Sequence, residues 1–487
     1  MPDPKPTGKG VRYEEVHEAY FEARGLRRHA GVWSLWALGV GAVISGDFFG
    51  WNFGLGFGGF GGMIFATAIV AVMYAGLCYS IAEMTAALPH TGGAYSFART
   101  ALGPWGGYVT GLAENMEYVL TPAVIVVGIG GYLGAIFETP ESLEPLWWFL
   151  SYALFVIINI IGVELAFKMT VVITFAALAV LLVFFVGALP HVDIARYGFG
   201  VTQAQSITWL PHGVSGILRA LPFAIWFFLA IEQLPLAAEE AHAPQRDLPK
   251  GLTWGFLTLT VCAFGTLFFN SVIPPGAQVI ASSEEPLFDG FRTIFGSGLA
   301  SKLLAAVALT GLLASFHAII YAGGRQIYSL SRAGYFPRFL SLTHKKRKTP
   351  HVALFVGSVL GFAVTLAVRW LGKEQMVGAV LLSMAVFGAM IAYLLQMISF
   401  IVLRLRFESI ERPYRSPFGI AGAMTASIIA LVTLIALFIG EAMFVQAVIG
   451  AALWYACGLA YFALHARHRL VYSPEEAFAE KHLKQLL

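Results

Sequence analysis

Apolar residues in this 487-residue chain gather into long runs separated by short polar stretches. About twelve runs can be counted, near residues 32–58, 61–86, 105–137, 146–163, 169–189, 214–238, 251–273, 300–322, 351–371, 377–403, 417–440 and 442–465. About twenty apolar residues wound as a helix span about 30 Å, the thickness of a bilayer's hydrocarbon core. The pattern predicts an all-α membrane protein of about twelve transmembrane helices. Only about the first 30 and the last 20 residues are polar tails, and nothing outside the runs is long enough to build a soluble domain. The first tail lacks the apolar centre of a signal peptide. Its stretch from Tyr13 to Glu22 predicts a short amphipathic helix on the membrane surface.

Two runs are interrupted near their middles. In the first, Ser45, Gly46, Asp47 and Gly50 break an otherwise apolar sequence. An ionised carboxylate at membrane depth costs roughly 2.5–3.5 kcal/mol on insertion scales, so Asp47 needs a partner or a role. Broken backbone at that depth is tolerated where it lines a cavity, which makes Asp47 a candidate site for a cation. The plainer alternative is a helix cap. The sixth run carries Trp226, Leu229 and Glu232 between Pro222 and Pro235. Two interrupted segments five spans apart point to an inverted-repeat transporter with its site at the midplane. The chain then divides into an N-terminal tail (1–30), a first five-helix repeat (31–189), a second (190–403), two added helices (404–466) and a C-terminal tail (467–487). On the third run, Glu114, Glu117 and Tyr118 share one helix face. Glu232 and Glu117 are candidates for proton coupling or gating; hydrogen bonding or ion pairing alone is the alternative reading.

Composition narrows the class. Charged residues make up 12% of the chain and hydrophobic ones 58%, whereas soluble domains carry about 25% charge. The net charge of +3 says little, but its distribution says more. If the helices alternate direction, most of the 31 Lys and Arg, including Lys345–Lys348 and the cluster Arg404, Arg406, Arg412 and Arg415, fall on the side of the termini. Positive-inside bias then places both termini in the cytoplasm, and the basic block is a topology signal rather than a nucleic-acid site. Cys78, Cys262 and Cys457 lie in apolar runs and read as packing residues, with no metal or disulfide role. His317 reads as a core residue, and Trp147-Trp148 as an interfacial anchor. No metalloprotease motif, P-loop or channel filter is present, and the first position of the intramembrane aspartyl protease motif is held by Ile44 instead of glycine. No enzyme activity and no cofactor are expected.

Three loop motifs carry a family resemblance. Pro89-His90-Thr91-Gly92-Gly93-Ala94-Tyr95 with Gly103-Pro104-Trp105-Gly106-Gly107, then Glu239-Glu240-Ala241-His242-Ala243-Pro244-Gln245-Arg246-Asp247-Leu248-Pro249, then Ser331-Arg332-Ala333-Gly334-Tyr335-Phe336-Pro337 resemble, in order and spacing, the amino acid–polyamine–organocation transporters. Ala243 stands where asparagine is usual. Within that family, the stretch from Gly25 to Asn52 resembles bacterial ethanolamine permeases.

The resemblance implies the leucine-transporter fold, five plus five helices with spans one and six broken and two helices added, working by alternating access in a bacterial inner membrane. Amino-acid carriers of the family receive the substrate carboxylate on bare amides at the first break. Here Ser45, Gly46 and Asp47 occupy that place, and the carboxylate implies an amine substrate such as ethanolamine. The resemblance also places Glu114 and Trp226, with its neighbour Leu229, at the substrate. Phe316 and Ile319 on the eighth span complete the candidate binding residues. It links Glu232 with proton sensing, while the fifth-helix lysine of some relatives has no counterpart over Thr174–Leu178. Symport, uniport and exchange stay open, as does a carrier of amino acids or polyamines, or a non-transporting amine sensor. The expected partners are the lipid bilayer, a small amine and a coupling proton, with the chain as monomer or homodimer.

Overall fold

A computed structural model describes residues 10–14, 30–88, 92–161, 163–201, 207–371, 377–438 and 442–472. Among them are fourteen α-helices: α1 (Val32–Val43), α2 (Phe53–Ala87), α3 (Gly93–Phe137), α4 (Glu144–Ile161), α5 (Val163–Ala188), α6 (Gly213–Ile225), α7 (Pro244–Ser271), α8 (Ala277–Ile280), α9 (Pro286–Phe295), α10 (Leu299–Arg332), α11 (His351–Leu371), α12 (Val377–Arg406), α13 (Gly419–Ala436) and α14 (Ala442–Leu464). Ten are long and apolar enough to cross a membrane. The two shorter apolar helices, α1 and α6, are those whose spans the sequence marks as interrupted.

The interruptions are explicit. α1 stops at Val43, a 3-10 turn covers Ile44–Asp47, and helix resumes at Phe53. At Gly59 the backbone turns to φ +66°, so Phe53–Gly58 completes the first span and the rest of α2 is the second. α6 ends at Ile225, and Ile231–Glu240 continues as a 3-10 helix after Ala230 at φ +82°. Gly103, at φ +83°, likewise separates a short leading helix from the long third span. α3 is the central pillar: buried residues occupy nearly every position from Tyr108 to Tyr132. α10 and α12 pack along it, with Gly388 of α12 close to the Ala113 carbonyl and Gly323 of α10 close to the Tyr118 carbonyl.

At the end of the bundle where the termini lie, the chain seals itself. Ala30 donates to the Glu240 carbonyl and accepts from His242 N–H, both at 2.9 Å. Glu240 and Arg325, both fully buried, pair at 2.8 Å, and the Tyr321 hydroxyl also bonds Glu240. Arg332 pairs with Glu239 at 2.7 Å. Two short strands, β1 (Tyr13–Glu14) and β2 (Leu470–Val471), form a parallel ribbon over this end. Arg99 donates to the Val471 carbonyl at 2.9 Å and lies over the Tyr13 and Tyr335 rings. Lys345–Lys348 sits in the exposed loop at the same end.

Two expectations are corrected here. The amphipathic helix expected from Tyr13 begins instead as β1, and the rest of that stretch lies outside the described residues, as do Pro89, His90 and Thr91 and most of both tails. Trp148 is no interfacial anchor: it is buried, with the Arg369 guanidinium 5.2 Å from its ring, while Trp147 stacks on Phe137. The indole is accommodated by Gly130 of α3, where a Cβ would come within 2.6 Å of its nitrogen.

Candidate functional site

The two breaks meet at the centre of the bundle. The Trp226 indole N–H donates to the Phe49 carbonyl at 2.9 Å. A Cβ at Gly46 would overlap the Trp226 carbonyl, so only glycine lets the breaks come this close. The open end of α1 is repaired from α10: Ser315 Oγ accepts the Ser45 N–H at 2.8 Å and donates to the Gly41 carbonyl at 2.7 Å. Tyr132 of α3 donates to the Phe48 carbonyl at 3.0 Å. Backbone groups freed by the break are thus taken up by side chains from three other elements, as a dry interior demands.

Asp47 ends the 3-10 turn, fully buried, and neither of its carboxylate oxygens has a hydrogen-bond partner. Its side chain faces α7, where the Thr266 hydroxyl lies beside it and Cys262 is one turn away. Thr266 Oγ1 is itself buried without a partner. Asp47 is therefore not spent on capping a helix.

Three other carboxylates form a separate group. Glu117 and Glu232 sit side by side within hydrogen-bond reach. Tyr118 donates to Glu232 Oε1 and Tyr393 of α12 donates to Glu117 Oε1, each at 3.4 Å. The Tyr393 and Tyr74 hydroxyls are 3.1 Å apart. Glu114 accepts from Gln326 Nε2 of α10 at 2.6 Å. Among the described residues no arginine or lysine pairs with any of the three, and all are buried.

The candidate residues thus fall into three places. Ser45, Gly46, Asp47, Trp226 and Leu229 line or adjoin the joined breaks. Glu114, Glu117 and Glu232 form the second group, so Glu114 is joined to Glu232 and Gln326 rather than to Asp47. Ile319 is buried on α10 one turn after Ser315. Phe316 packs into an aromatic cluster with Tyr152 and Phe155 of α4. His317 meets Asn159 at 3.0 Å and the Phe155 ring, which suits a core residue. Thr266, Ser315, Tyr74 and Tyr393 went unmarked in the sequence because single hydroxyls in apolar helices are common and carry no charge signal. No group of three or more His, Cys, Asp or Glu side chains among the described residues is arranged to hold a metal ion.

This architecture, two opposed helix breaks inside a bundle of apolar helices, matches the comparison with known families: residues 35–479 fit the amino acid permease family. The chain belongs to that family. Its fold is the leucine-transporter-like architecture of these permeases, and it is a multi-pass membrane transporter, not an enzyme. An uncharacterised transporter of Rhizobium meliloti is 27% identical over 88% of this chain and 92% of its own length. A branched-chain amino acid permease of Bacillus subtilis is 25% identical over 81% of this chain and 84% of its own. A methylthioribose transporter of the same species is 22% identical over 83% and 87% respectively.

Proposed function

We propose that this permease carries a small primary amine without a carboxylate, of which ethanolamine is the type, into the bacterial cell across the plasma membrane by alternating access. The observation that carries the reading is Asp47: a buried carboxylate at the helix break, both oxygens unpartnered, with no Lys or Arg beside it among the described residues. An ammonium group is the ligand that such a carboxylate accepts. A substrate carboxylate there would be repelled by roughly 4 kcal/mol at about 4 Å and an effective dielectric near 20. The unpartnered Thr266 hydroxyl offers a second polar contact for the same ligand. Ser45, Gly46, Glu114, Trp226, Leu229, Phe316 and Ile319 are carried forward as candidate binding residues. Glu117 and Glu232, a cation-free carboxyl pair, are suited to hold the coupling proton. Basic loops on the side of the termini support cytoplasmic ends.

A second reading, amino-acid transport, is favoured by the relative named for branched-chain amino acids. Uptake of labelled ethanolamine into liposomes holding the purified protein separates the two. Serine is ethanolamine with an added carboxylate. Excess serine leaves uptake untouched on the first reading; serine competing as well as unlabelled ethanolamine overturns it.

A further inference from the structure

The connection between α10 and α11 is tightly built. The 3-10 turn Arg338–Ser341 turns Leu340 inward, against Ile327 and Tyr328 of α10 and Ala353 of α11. Ser331 Oγ donates to the Pro337 carbonyl at 2.6 Å and Ser341 Oγ to the Arg338 carbonyl at 2.8 Å. A second turn follows. His344 N–H donates to the Thr349 carbonyl and Lys348 N–H to the His344 carbonyl, both at 2.8 Å, and Arg347 N–H reaches His344 Nδ1 at 3.3 Å. Thr349 Oγ1 donates to the Ile160 carbonyl at 3.2 Å, which fastens this turn to the end of α4.

The frame presents two kinds of side chain outward. Phe339 is 56% exposed and Leu342 43%, and Lys345, Lys346 and Arg347 follow them, all exposed. Among the described residues none of these three cations pairs with a carboxylate, whereas Arg332 and Arg338, just before them, are spent on Glu239 and Glu14. The level of the membrane is marked by α11. Phe355, four residues after His351 and so about 6 Å along the helix, begins an exposed apolar face with Val356, Val359 and Leu360. The basic turn therefore lies at the rim of the hydrocarbon, at the level of the headgroups. A topology signal needs only the charges. It does not call for two outward apolar side chains or for a pinned turn.

We propose that the loop from Arg338 to Lys348 is a docking site for an anionic phospholipid of the leaflet on the side of the termini: Lys345, Lys346 and Arg347 take the headgroup phosphate, and Phe339 and Leu342 enter among the upper acyl chains. The proposal does not depend on which substrate the permease carries. Because the fold already fixes the backbone of the turn, binding costs only side-chain freedom. A soluble anion would use the cations and leave Phe339 and Leu342 in water, so the pairing of charge with apolar surface selects a lipid. Each lysine or arginine near an anionic surface contributes about fivefold to binding, so the three give on the order of a hundredfold before salt screening.

Native mass spectrometry of the full chain in detergent tests this, by titration with phosphatidylglycerol or phosphatidylcholine of the same acyl chains. Phosphatidylglycerol should bind at least about tenfold tighter than phosphatidylcholine. K345Q/K346Q/R347Q should remove most of that preference and leave phosphatidylcholine binding unchanged. R406Q/R415Q, which removes two exposed arginines at the same end, should keep it. F339S/L342S should weaken phosphatidylglycerol binding severalfold, and inorganic phosphate should not displace the lipid. Hydrogen exchange in nanodiscs places the contact: phosphatidylglycerol added to phosphatidylcholine discs should slow exchange severalfold across residues 338–348 and not across 408–418. Equal affinity for the two lipids, a preference kept by the triple variant or lost equally in R406Q/R415Q, wild-type binding in F339S/L342S, or displacement by inorganic phosphate overturns the proposal. If the triple variant does not fold, exchange at 338–348 of the wild type that ignores phosphatidylglycerol overturns it equally.

Discussion

The Trp226 indole donates to the Phe49 carbonyl at 2.9 Å, so the side chain of one broken span closes the backbone of the other. The ring also lies where a Cβ on Gly50, at φ +97°, would fall. Trp226→Phe keeps much of the ring and removes the N–H, leaving the Phe49 carbonyl without this donor. The expected loss is about 1–3 kcal/mol for an unsatisfied buried acceptor. Thermal unfolding of the purified variant should show a lower midpoint, and a midpoint equal to wild type would mean that another donor replaces the indole.

Asp47→Asn preserves shape and removes charge. Losing one partner of a desolvated ammonium–carboxylate contact costs on the order of 2–5 kcal/mol. Ethanolamine uptake should fall to near background while the protein still inserts and elutes as a single folded species. Near-normal affinity in the variant would assign the ammonium to another group.

Thr266→Val keeps the branched shape beside Asp47 and deletes the hydroxyl. If that hydroxyl meets the ligand, affinity should drop by about 0.5–1.5 kcal/mol, seen as a severalfold rise in KM for uptake with the maximal rate held. An unchanged KM would confine Thr266 to packing.

Glu232→Gln leaves the hydrogen-bonding shape of the Glu117–Glu232 pair and removes one of its two titrating groups. Uptake measured from about pH 5 to about pH 8 should lose its slope while substrate binding survives, since protonation of this pair is the step removed. Superimposable pH profiles in variant and wild type would take Glu232 out of coupling and leave it as a hydrogen-bonding gate residue.

Arg325→Met strands Glu240, a carboxylate with no exposed surface, at the seal on the side of the termini. Breaking one side of a buried pair typically costs about 3–5 kcal/mol, far more than replacing both partners. The single variant should unfold at a markedly lower temperature, and Arg325→Met combined with Glu240→Gln should recover part of the loss. A single variant as stable as wild type would show that water reaches Glu240.

What the sequence revealed followed charge and helix-breaking residues. Asp47, Glu114, Glu117 and Glu232 stood out because carboxylates are rare in apolar runs, and Gly46, Pro222 and Pro235 marked where helix could not continue. The division of those carboxylates into two groups was not legible, because it depends on which way each side chain turns inside the bundle. Ser315 and Thr266 were silent for another reason: a hydroxyl in an apolar helix commonly bonds its own backbone, as Thr121 and Ser399 do here. Tyr13 misled because local periodicity says nothing of a partner at Leu470. Trp148 did so because Arg369, which covers it, lies more than two hundred positions away.

The ribbon of β1 and β2 carries a consequence for biogenesis. Domains emerge N-terminal end first during synthesis. Tyr13 and Glu14 are therefore made at the outset yet have no strand to pair with until Leu470 and Val471 appear. Arg99, on the short helix that leads into the third span, likewise gains the Val471 carbonyl as an acceptor only at the end of synthesis. Every helix can be in the bilayer before this closure forms. The tie between the two ends can therefore form only once Leu470 and Val471 have been made: a chain truncated after α14 keeps all its helices and lacks it.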